Sequence, residues 1–265
     1  MADGPDQSPA LLEFLLRMGD NTLILGHRVS EWCGKAPVLE EDIALANIAL
    51  DLIGQTRMWL GLAAEVQGEI LGEVQGDRKS ADDLAFLRDA WQFRNVLLCE
   101  IPNGDFGQTL MRQFLFDAWH DCQLRQLAGS ADDRVAAIAA KAAKEVTYHL
   151  DRSSGTVIGL GDGSPESHAR MQTALDHLYP YVGELFLSDP VDDALSAAGI
   201  APDPGALRPA YDATLTRVLG EATLVIPQAS RARGGGRDGR MHTEHLGHLL
   251  TSMQWLQRAY PGATW

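Results

Sequence analysis

The sequence predicts an all-α fold in which long helices form a bundle with short connections. Three observations predict it. Apolar residues recur at helical spacing over most of the 265 residues, and the alternating pattern that is typical of strands is absent. Ser caps followed by Pro or acidic residues precede several of the apolar segments, and Gly or Pro follows many of them.

These signals place the helices in order. Ser8 and Pro9 begin the first, which runs to about residue 32, and Gly34 and Pro37 then interrupt the chain. Ser80 and Ser130 each precede Ala-Asp-Asp, the composition of a capped first turn. The predicted helices after the first cover residues 40–66, 80–100, 108–127, 130–160, 164–187, 190–199, 205–225 and 243–259.

We expect a single domain over residues 1–265, with a long-helix core at 8–187 and a C-terminal helical extension at 188–265. The extension contains a glycine-rich basic segment, 228–241, that predicts a flexible connector. An alternative is that its arginines contact an acidic partner or a phosphorylated ligand. These arginines are Arg231, Arg233, Arg237 and Arg240.

Composition restricts the classes of function. The formal net charge of −14 argues against nucleic acids and anionic membranes as partners, because binding to phosphates needs a positive field. The sequence shows neither a signal peptide nor an apolar run long enough to span a bilayer. Cys33, Cys99 and Cys122 are odd in number and lie in apolar helical contexts, which predicts reduced core residues of a cytoplasmic protein.

A bundle with inward carboxylates raises the question of a di-metal site, which takes two Glu-x-x-His pairs and two further carboxylates. No glutamate here has a histidine three residues later. Degenerate positions are present instead: Gly54 follows Asp51 by three, and Tyr148 follows Glu145 by three. We therefore predict a vestigial polar centre without a metal, formed by Asp20, Asn47, Asp51, Gln55, Asp117, Glu145 and Tyr148.

Two patterns keep a metal site open as an alternative. Asp117 and His120 have the spacing of metal ligands on one helix face, and His149 follows Glu145 by four. A di-metal oxidase could use Asp51, Asp117, His120, Glu145 and His149. His242, His245 and His248 also recur every third residue, which favours capping or packing over zinc because six residues of helix spread them around its axis.

Three motifs carry a resemblance to a known family. They are Leu-Ala-Asn-Ile-Ala-Leu-Asp-Leu-Ile-Gly-Gln at 45–55, Lys-Glu-Val-Thr-Tyr-His at 144–149, and His-Thr-Glu-His-Leu-Gly at 242–247 followed by Met-Gln-Trp-Leu-Gln-Arg at 253–258. In this order and spacing, over essentially the whole chain, the sequence resembles the phenylacetic acid catabolic protein family. Within it, the chain is most similar to the structural members rather than the catalytic ones.

The resemblance implies a ferritin-like fold and a non-catalytic, structural role in the multicomponent oxygenase that epoxidises the aromatic ring of phenylacetyl-CoA. It implies a complex with a homologous catalytic subunit that holds a di-iron site, with a small subunit and with a reductase subunit that uses FAD, an iron–sulfur cluster and NADPH. No cofactor is expected in this chain. A third alternative is an acyl-CoA-binding helical module that uses the arginines of 231–240.

Overall fold

A computed structural model describes residues 7–72, 79–228 and 234–263. Within these ranges the secondary structure is helical and contains no strand, so the predicted all-α fold is confirmed. The α-helices are α1 (Ser8–Ser30), α2 (Leu39–Leu71), α3 (Ala81–Phe86), α4 (Leu97–Glu100), α5 (Phe106–Leu127), α6 (Asp133–Gly161), α7 (Pro165–Leu178), α8 (Pro190–Ala197), α9 (Arg208–Glu221) and α10 (Glu244–Ala259). Short 3₁₀ segments lie at Ala90–Gln92, Tyr179–Phe186 and Pro204–Leu207.

Two antiparallel helix pairs form the centre of the bundle. α1 packs along α2, α5 packs along α6, and the pairs meet where α2 contacts α6. In the first pair the backbones approach closely, because Gly19 lies against Leu60 and Gly26 lies against Ala49 and Leu52. The shorter helices α7, α8 and α9 pack on the outside of these pairs.

The capping residues agree with the sequence at some helices and differ at others. Ser80 and Asp83 form a reciprocal capping box, with the Asp83 carboxylate 2.8 Å from the Ser80 amide nitrogen. The predicted cap Ser130 is wrong, since Asp132 caps α6 and the Ser130 hydroxyl donates instead to the Ile200 carbonyl. α1 begins one residue earlier than expected, with Gln7 at the N-cap.

The predicted helix at 80–100 is wrong, because the chain leaves the helix after Phe86 and is extended at Phe93 and Val96. Side chains of α1 take up the backbone donors of this segment. The Arg94 amide donates to Asp20 at 2.8 Å and the Val96 amide donates to the Asn21 side chain at 2.8 Å. These long-range bonds replace the bonds of a local helix.

The predicted helix 164–187 also changes type along its length. Its first part is α7, and Tyr179–Phe186 continues as a 3₁₀ segment that includes Pro180. The segment ends with the buried side chains of Glu184 and Leu185 in the core. The Glu184 carboxylate accepts hydrogen bonds from the amides of Leu97 at 2.7 Å and Gly236 at 2.9 Å.

The described part of the glycine-rich segment is hydrogen-bonded to the bundle, and the flexibility of 228–241 stays a prediction. The amides of Gly235, Gly236 and Arg237 all donate to one oxygen of Glu184. The Arg237 guanidinium pairs with Asp192 at 2.8 Å and is mostly buried. Arg231 and Arg233 lie outside the described residues.

A second buried carboxylate holds the start of α10. Glu100 is fully buried and accepts bonds from the Asn95 side-chain amide, from the amide and hydroxyl of Thr243, and from the His242 ring at 2.6 Å. The C-terminal extension is therefore fixed to the bundle through two buried carboxylates, Glu184 and Glu100.

Substituting Gly236 by alanine is expected to weaken this attachment, because an added Cβ would collide with the backbone carbonyl of Asn95. We expect a loss of about 2 kcal/mol or more in the free energy of unfolding. Gly247→Ala in α10 is the matched control, since its added Cβ meets open space, and it should stabilise by up to about 1 kcal/mol. Urea denaturation measures both, and equal effects would contradict the argument.

None of the described helices has the length and apolarity to cross a membrane. The cysteines are free thiols, as predicted, but only Cys99 is fully buried. Cys33 is exposed near the end of α1, so the prediction that all of the cysteines are core residues is wrong for this one.

Candidate functional site

Polar side chains from α2, α5 and α6 meet inside the bundle, and we call this group the polar centre. Two direct contacts join α2 to α6. The His149 Nε2 atom lies 3.0 Å from a carboxylate oxygen of Asp51, and the Gln55 side-chain amide donates to Glu145 at 3.0 Å. His149 and Gln55 are fully buried, while Asp51 and Glu145 are partly exposed.

α5 contributes a fully buried carboxylate, Asp117, to the polar centre. Its two oxygens accept hydrogen bonds from the Gln113 side-chain amide at 2.6 Å and from the Ser153 hydroxyl at 2.9 Å. Burial raises the pKa of Asp117 to about 6, although His149 and both hydrogen bonds act in the opposite direction. Asp117 therefore changes charge close to neutral pH.

His120 lies one turn along α5 from Asp117 and is also buried, against the rings of Phe116 and Trp119. Burial, with a smaller contribution from His149, lowers the pKa of His120 to about 3. The ring is therefore neutral at ordinary pH. Its Nδ1 atom and that of His149 have no hydrogen-bond partner among the described residues.

The structure brings four of the seven predicted residues of the centre together: Asp51, Gln55, Asp117 and Glu145. Asn47 is exposed on the outer side of α2, and Tyr148 is half exposed. Gly54 is exposed as well, so the position three residues after Asp51 faces outward rather than toward the centre.

Asp20 lies in a different buried cluster. Both of its oxygens contact the Arg88 guanidinium, and one also accepts the Arg94 amide. On α1, Thr22 contacts α2 next to Gln55: its hydroxyl lies 2.9 Å from the hydroxyl of Thr56.

Sequence reasoning missed Gln113 and Ser153 as members of the polar centre. A signal was available, because Gln113 precedes Asp117 by four residues and Ser153 follows His149 by four. Each pair therefore lies on one face of its helix. Two polar side chains one turn apart among apolar residues of a helix indicate that both belong to the same buried polar group.

The three C-terminal histidines do not converge. The His242 ring lies between the Glu100 carboxylate and the Phe93 carbonyl, which are both acceptors, and His248 is exposed. Within the described parts of the chain, no three His, Cys, Asp or Glu side chains are arranged to hold one metal ion.

Antiparallel helix pairs around a buried polar centre define the class of this protein as a ferritin-like helix bundle. The chain belongs to the phenylacetic acid catabolic protein family, whose sequence profile matches residues 2–265. It is 49% identical over 255 residues to the C component of 1,2-phenylacetyl-CoA epoxidase from Escherichia coli K12. That alignment covers 96% of this chain and 99% of the relative. The family resemblance predicted from the three motifs is thereby confirmed.

Proposed function

We propose that this chain is a structural, non-catalytic subunit of an oxygenase complex that epoxidises the aromatic ring of phenylacetyl-CoA. The observation that carries the proposal is the 49% identity, over nearly the full length of both chains, to a relative named as the C component of that epoxidase. At such similarity over nearly the whole of both sequences, the fold and the arrangement of the interior are expected to be shared.

The chemistry of the polar centre supports a non-catalytic role. A di-iron site needs carboxylates and imidazoles that are free to bind metal, with histidines placed three residues after glutamates. Here the Gln55 amide donates to Glu145, and Asp51 contacts His149. Asp117 accepts hydrogen bonds from the side chains of Gln113 and Ser153. These residues do not fit a pair of metal ions, and each carboxylate of the centre has a protein partner.

The proposed partner is a homologous catalytic subunit that holds the di-iron site and binds phenylacetyl-CoA. A small subunit and a reductase with FAD and an iron–sulfur cluster, fed by NADPH, complete the proposed complex in the cytoplasm. Within it, this chain buries an apolar helical surface of the catalytic subunit and stabilises it. Stable complexes of this kind bury about 2,000 Å² or more.

A specific observation favours one competing function. The Nδ1 atoms of His120 and His149 have no hydrogen-bond partner among the residues that the structure describes, and they are buried nitrogens of the kind that bind metals. A di-metal oxidase would bind them together with Asp51, Asp117 and Glu145. Elemental analysis of the purified chain separates the two functions, since the oxidase requires about two metal ions per chain and the structural subunit well below one.

Co-expression tests the proposed function directly. The catalytic subunit should be poorly soluble or inactive when it is produced alone, and active when it is co-purified with this chain. A complex that carries Asp117→Asn should keep its turnover of phenylacetyl-CoA, whereas loss of turnover in a folded complex would favour the oxidase. Full activity of the catalytic subunit without this chain would contradict the proposal.

A further inference from the structure

A groove lies between the α1–α2 pair on one side and α3 with α10 on the other, and we call it the α3 groove. Its volume is about 510 Å³, which is within the range of sites that bind small molecules. All four helices contribute apolar side chains to its lining. These include Leu23 of α1, Ile53 and Leu60 of α2, Ala85 and Phe86 of α3, and Met253 of α10.

The floor of the α3 groove suits an apolar ligand. Leu23 and Leu60 are buried in the single chain, at 4% and 0% exposure. The Thr56 hydroxyl also lies at the groove, but it donates to the Leu52 carbonyl at 2.9 Å and contacts the Thr22 hydroxyl. An alkyl chain on this floor would leave water without depriving Thr56 of its hydrogen bonds.

The α3 groove is long and narrow. Its lining residues on α2 begin at Leu50 and end at Leu60, a span of about 15 Å along the helix. A volume of about 510 Å³ over this length fits one extended chain better than a compact ring system. Gly54 keeps the middle of the groove open, since an added Cβ there would meet no atom within 4 Å.

Arg57 supplies a positive charge at the α3 groove. Among the arginines that the structure describes, it is the one that forms neither an ion pair nor a side-chain hydrogen bond. This is unexpected in a chain where 36 acidic residues outnumber 22 basic ones. A guanidinium binds a carboxylate through two parallel hydrogen bonds. The exposed Arg57 side chain is therefore available to a carboxylate in the groove.

The other titratable groups of the groove disfavour a second negative charge. His27 lines the groove on α1, and burial lowers the pKa of its ring, which is therefore neutral at ordinary pH. Asp82 is an exposed carboxylate on the α3 side. A ligand with one carboxylate beside Arg57 fits this distribution of charge, whereas a ligand with a carboxylate at each end does not.

We propose that the α3 groove binds an unbranched monocarboxylate of about eight to ten carbons, the class of medium-chain fatty acids. Its carboxylate pairs with Arg57, and its alkyl chain lies over Leu23 and Leu60. The charge on Arg57 and the apolar floor select this ligand together. The site goes beyond the proposed function and uses residues of this chain alone.

Isothermal titration calorimetry on the full chain tests the ligand class. We expect decanoate to bind with a Kd of about 100 µM, and octanoate to bind about tenfold more weakly because it buries two fewer CH₂ groups. Sebacate has a carboxylate at each end of the ten-carbon chain, and 1-octanol has none. Each should bind at least tenfold more weakly than the monocarboxylate of the same length.

Three results of this titration overturn the proposal. The first is the absence of binding by decanoate at concentrations up to about twentyfold above the expected Kd. The second is equal affinity for octanoate and 1-octanol, which would mean that Arg57 does not bind the carboxylate. The third is equal affinity for decanoate and sebacate, which would mean that the groove accepts a second negative charge.

Arg57→Gln tests the contact to the carboxylate. It removes an exposed charge and should weaken decanoate binding at least tenfold. Arg217→Gln is the matched control, since Arg217 is also an exposed, helical arginine but lies on α9, and it should leave the affinity unchanged. Equal affinities of the two variants overturn the proposal.

Gly54→Leu tests the position of the alkyl chain, because the new side chain occupies the middle of the groove. The single chain tolerates it, since the added Cβ has open space and leucine is a better helix former than glycine. We expect decanoate binding to weaken at least thirtyfold. Gly155→Leu on α6 is the matched control, because Gly155 is also an exposed, helical glycine whose added Cβ meets no atom. Equal affinities of these variants overturn the proposal.

Methyl NMR with ¹³C-labelled methionine locates the ligand. Met253 lines the α3 groove, whereas Met111 is buried in α5. Decanoate should shift the Met253 methyl signal, identified by its loss in Met253→Leu, and leave that of Met111 unchanged. Binding without a shift of the Met253 signal overturns the placement of the ligand. The result does not depend on the proposed function, because the measurement uses this chain alone.

Discussion

Arg88→Met is expected to lower the free energy of unfolding by about 3–5 kcal/mol, because it leaves a buried carboxylate without its counter-ion. The Arg88 side chain is 4% exposed and that of Asp20 is not exposed at all. The guanidinium contacts both oxygens of Asp20 and lies over the ring of Phe93. After the substitution, Asp20 keeps only the Arg94 amide among its present hydrogen-bond donors.

The cause of this loss can be isolated with a double variant. Asp20→Asn combined with Arg88→Met removes both charges and retains an oxygen that accepts the Arg94 amide, so most of the lost stability should return. Arg170→Met is the control, since Arg170 and Glu166 form an exposed pair on α7, and it should change stability by less than about 1 kcal/mol. Urea denaturation of the four proteins gives the comparison. If Arg88→Met and Arg170→Met lower the free energy of unfolding by the same amount, the buried charge of Asp20 is not stabilised by Arg88.

The second large effect concerns how the free energy of unfolding changes with pH. Two groups of the polar centre, Asp117 and His120, change it in opposite directions. The pKa of Asp117 is about 6 in the folded protein, against an ordinary value of 3.8. Between these two pH values Asp117 is protonated in the folded chain but ionised in the unfolded chain. Its contribution to the free energy of unfolding is therefore complete below about pH 4 and is lost as pH rises through 6. Its size is about 3 kcal/mol, from 1.36 kcal/mol per pH unit.

His120 acts in the other direction. Its pKa is about 3 in the folded protein, against an ordinary value of 6.5, so the unfolded chain takes up the proton first as pH falls. His120 contributes about 5 kcal/mol to the free energy of unfolding above about pH 6.5, and this contribution is lost as pH falls toward 3. Between pH 4 and 6 the two contributions change with opposite sign and largely offset each other.

Single variants should separate them. Relative to the unmodified chain, Asp117→Asn should gain stability as pH rises from 4 to 6, and His120→Gln should gain stability as pH falls from 6.5 to 4. Unfolding free energies from urea titrations at half-unit pH intervals measure these differences. Differences that do not vary with pH would mean that neither group is buried as described.

The fold was predictable wherever local signals determine it. The capping box at Ser80 and Asp83 and the long apolar periods of α1, α2, α5 and α6 depend on residues within a few positions of one another. The break after Phe86 was not predictable in this way. It depends on Asp20 and Asn21, more than 60 residues earlier, which take the amides that a helix would use.

The candidate site was partly predictable for the same reason. Asp51 and Gln55 are one turn apart on α2, which indicates a shared helix face, and both contact side chains of α6 in the structure. Spacing alone does not fix the rotation of a helix about its axis, and the exposed Asn47 and Tyr148 therefore fit the same pattern. The partner of Asp20 could not be identified, because no sequence pattern connects residue 20 with residue 88.

The attachment of Glu100 has a consequence for biosynthesis. Two of its partner residues, His242 and Thr243, are more than 140 positions later in the chain. During translation, α1 and α2 can associate as soon as both have left the ribosome. The carboxylate of Glu100 gains its contacts to His242 and Thr243 only when the start of α10 has been made. A nascent chain stopped before residue 242 would carry this acid with Asn95 alone, so the burial of Glu100 is completed only after residues 242 and 243 have been synthesised.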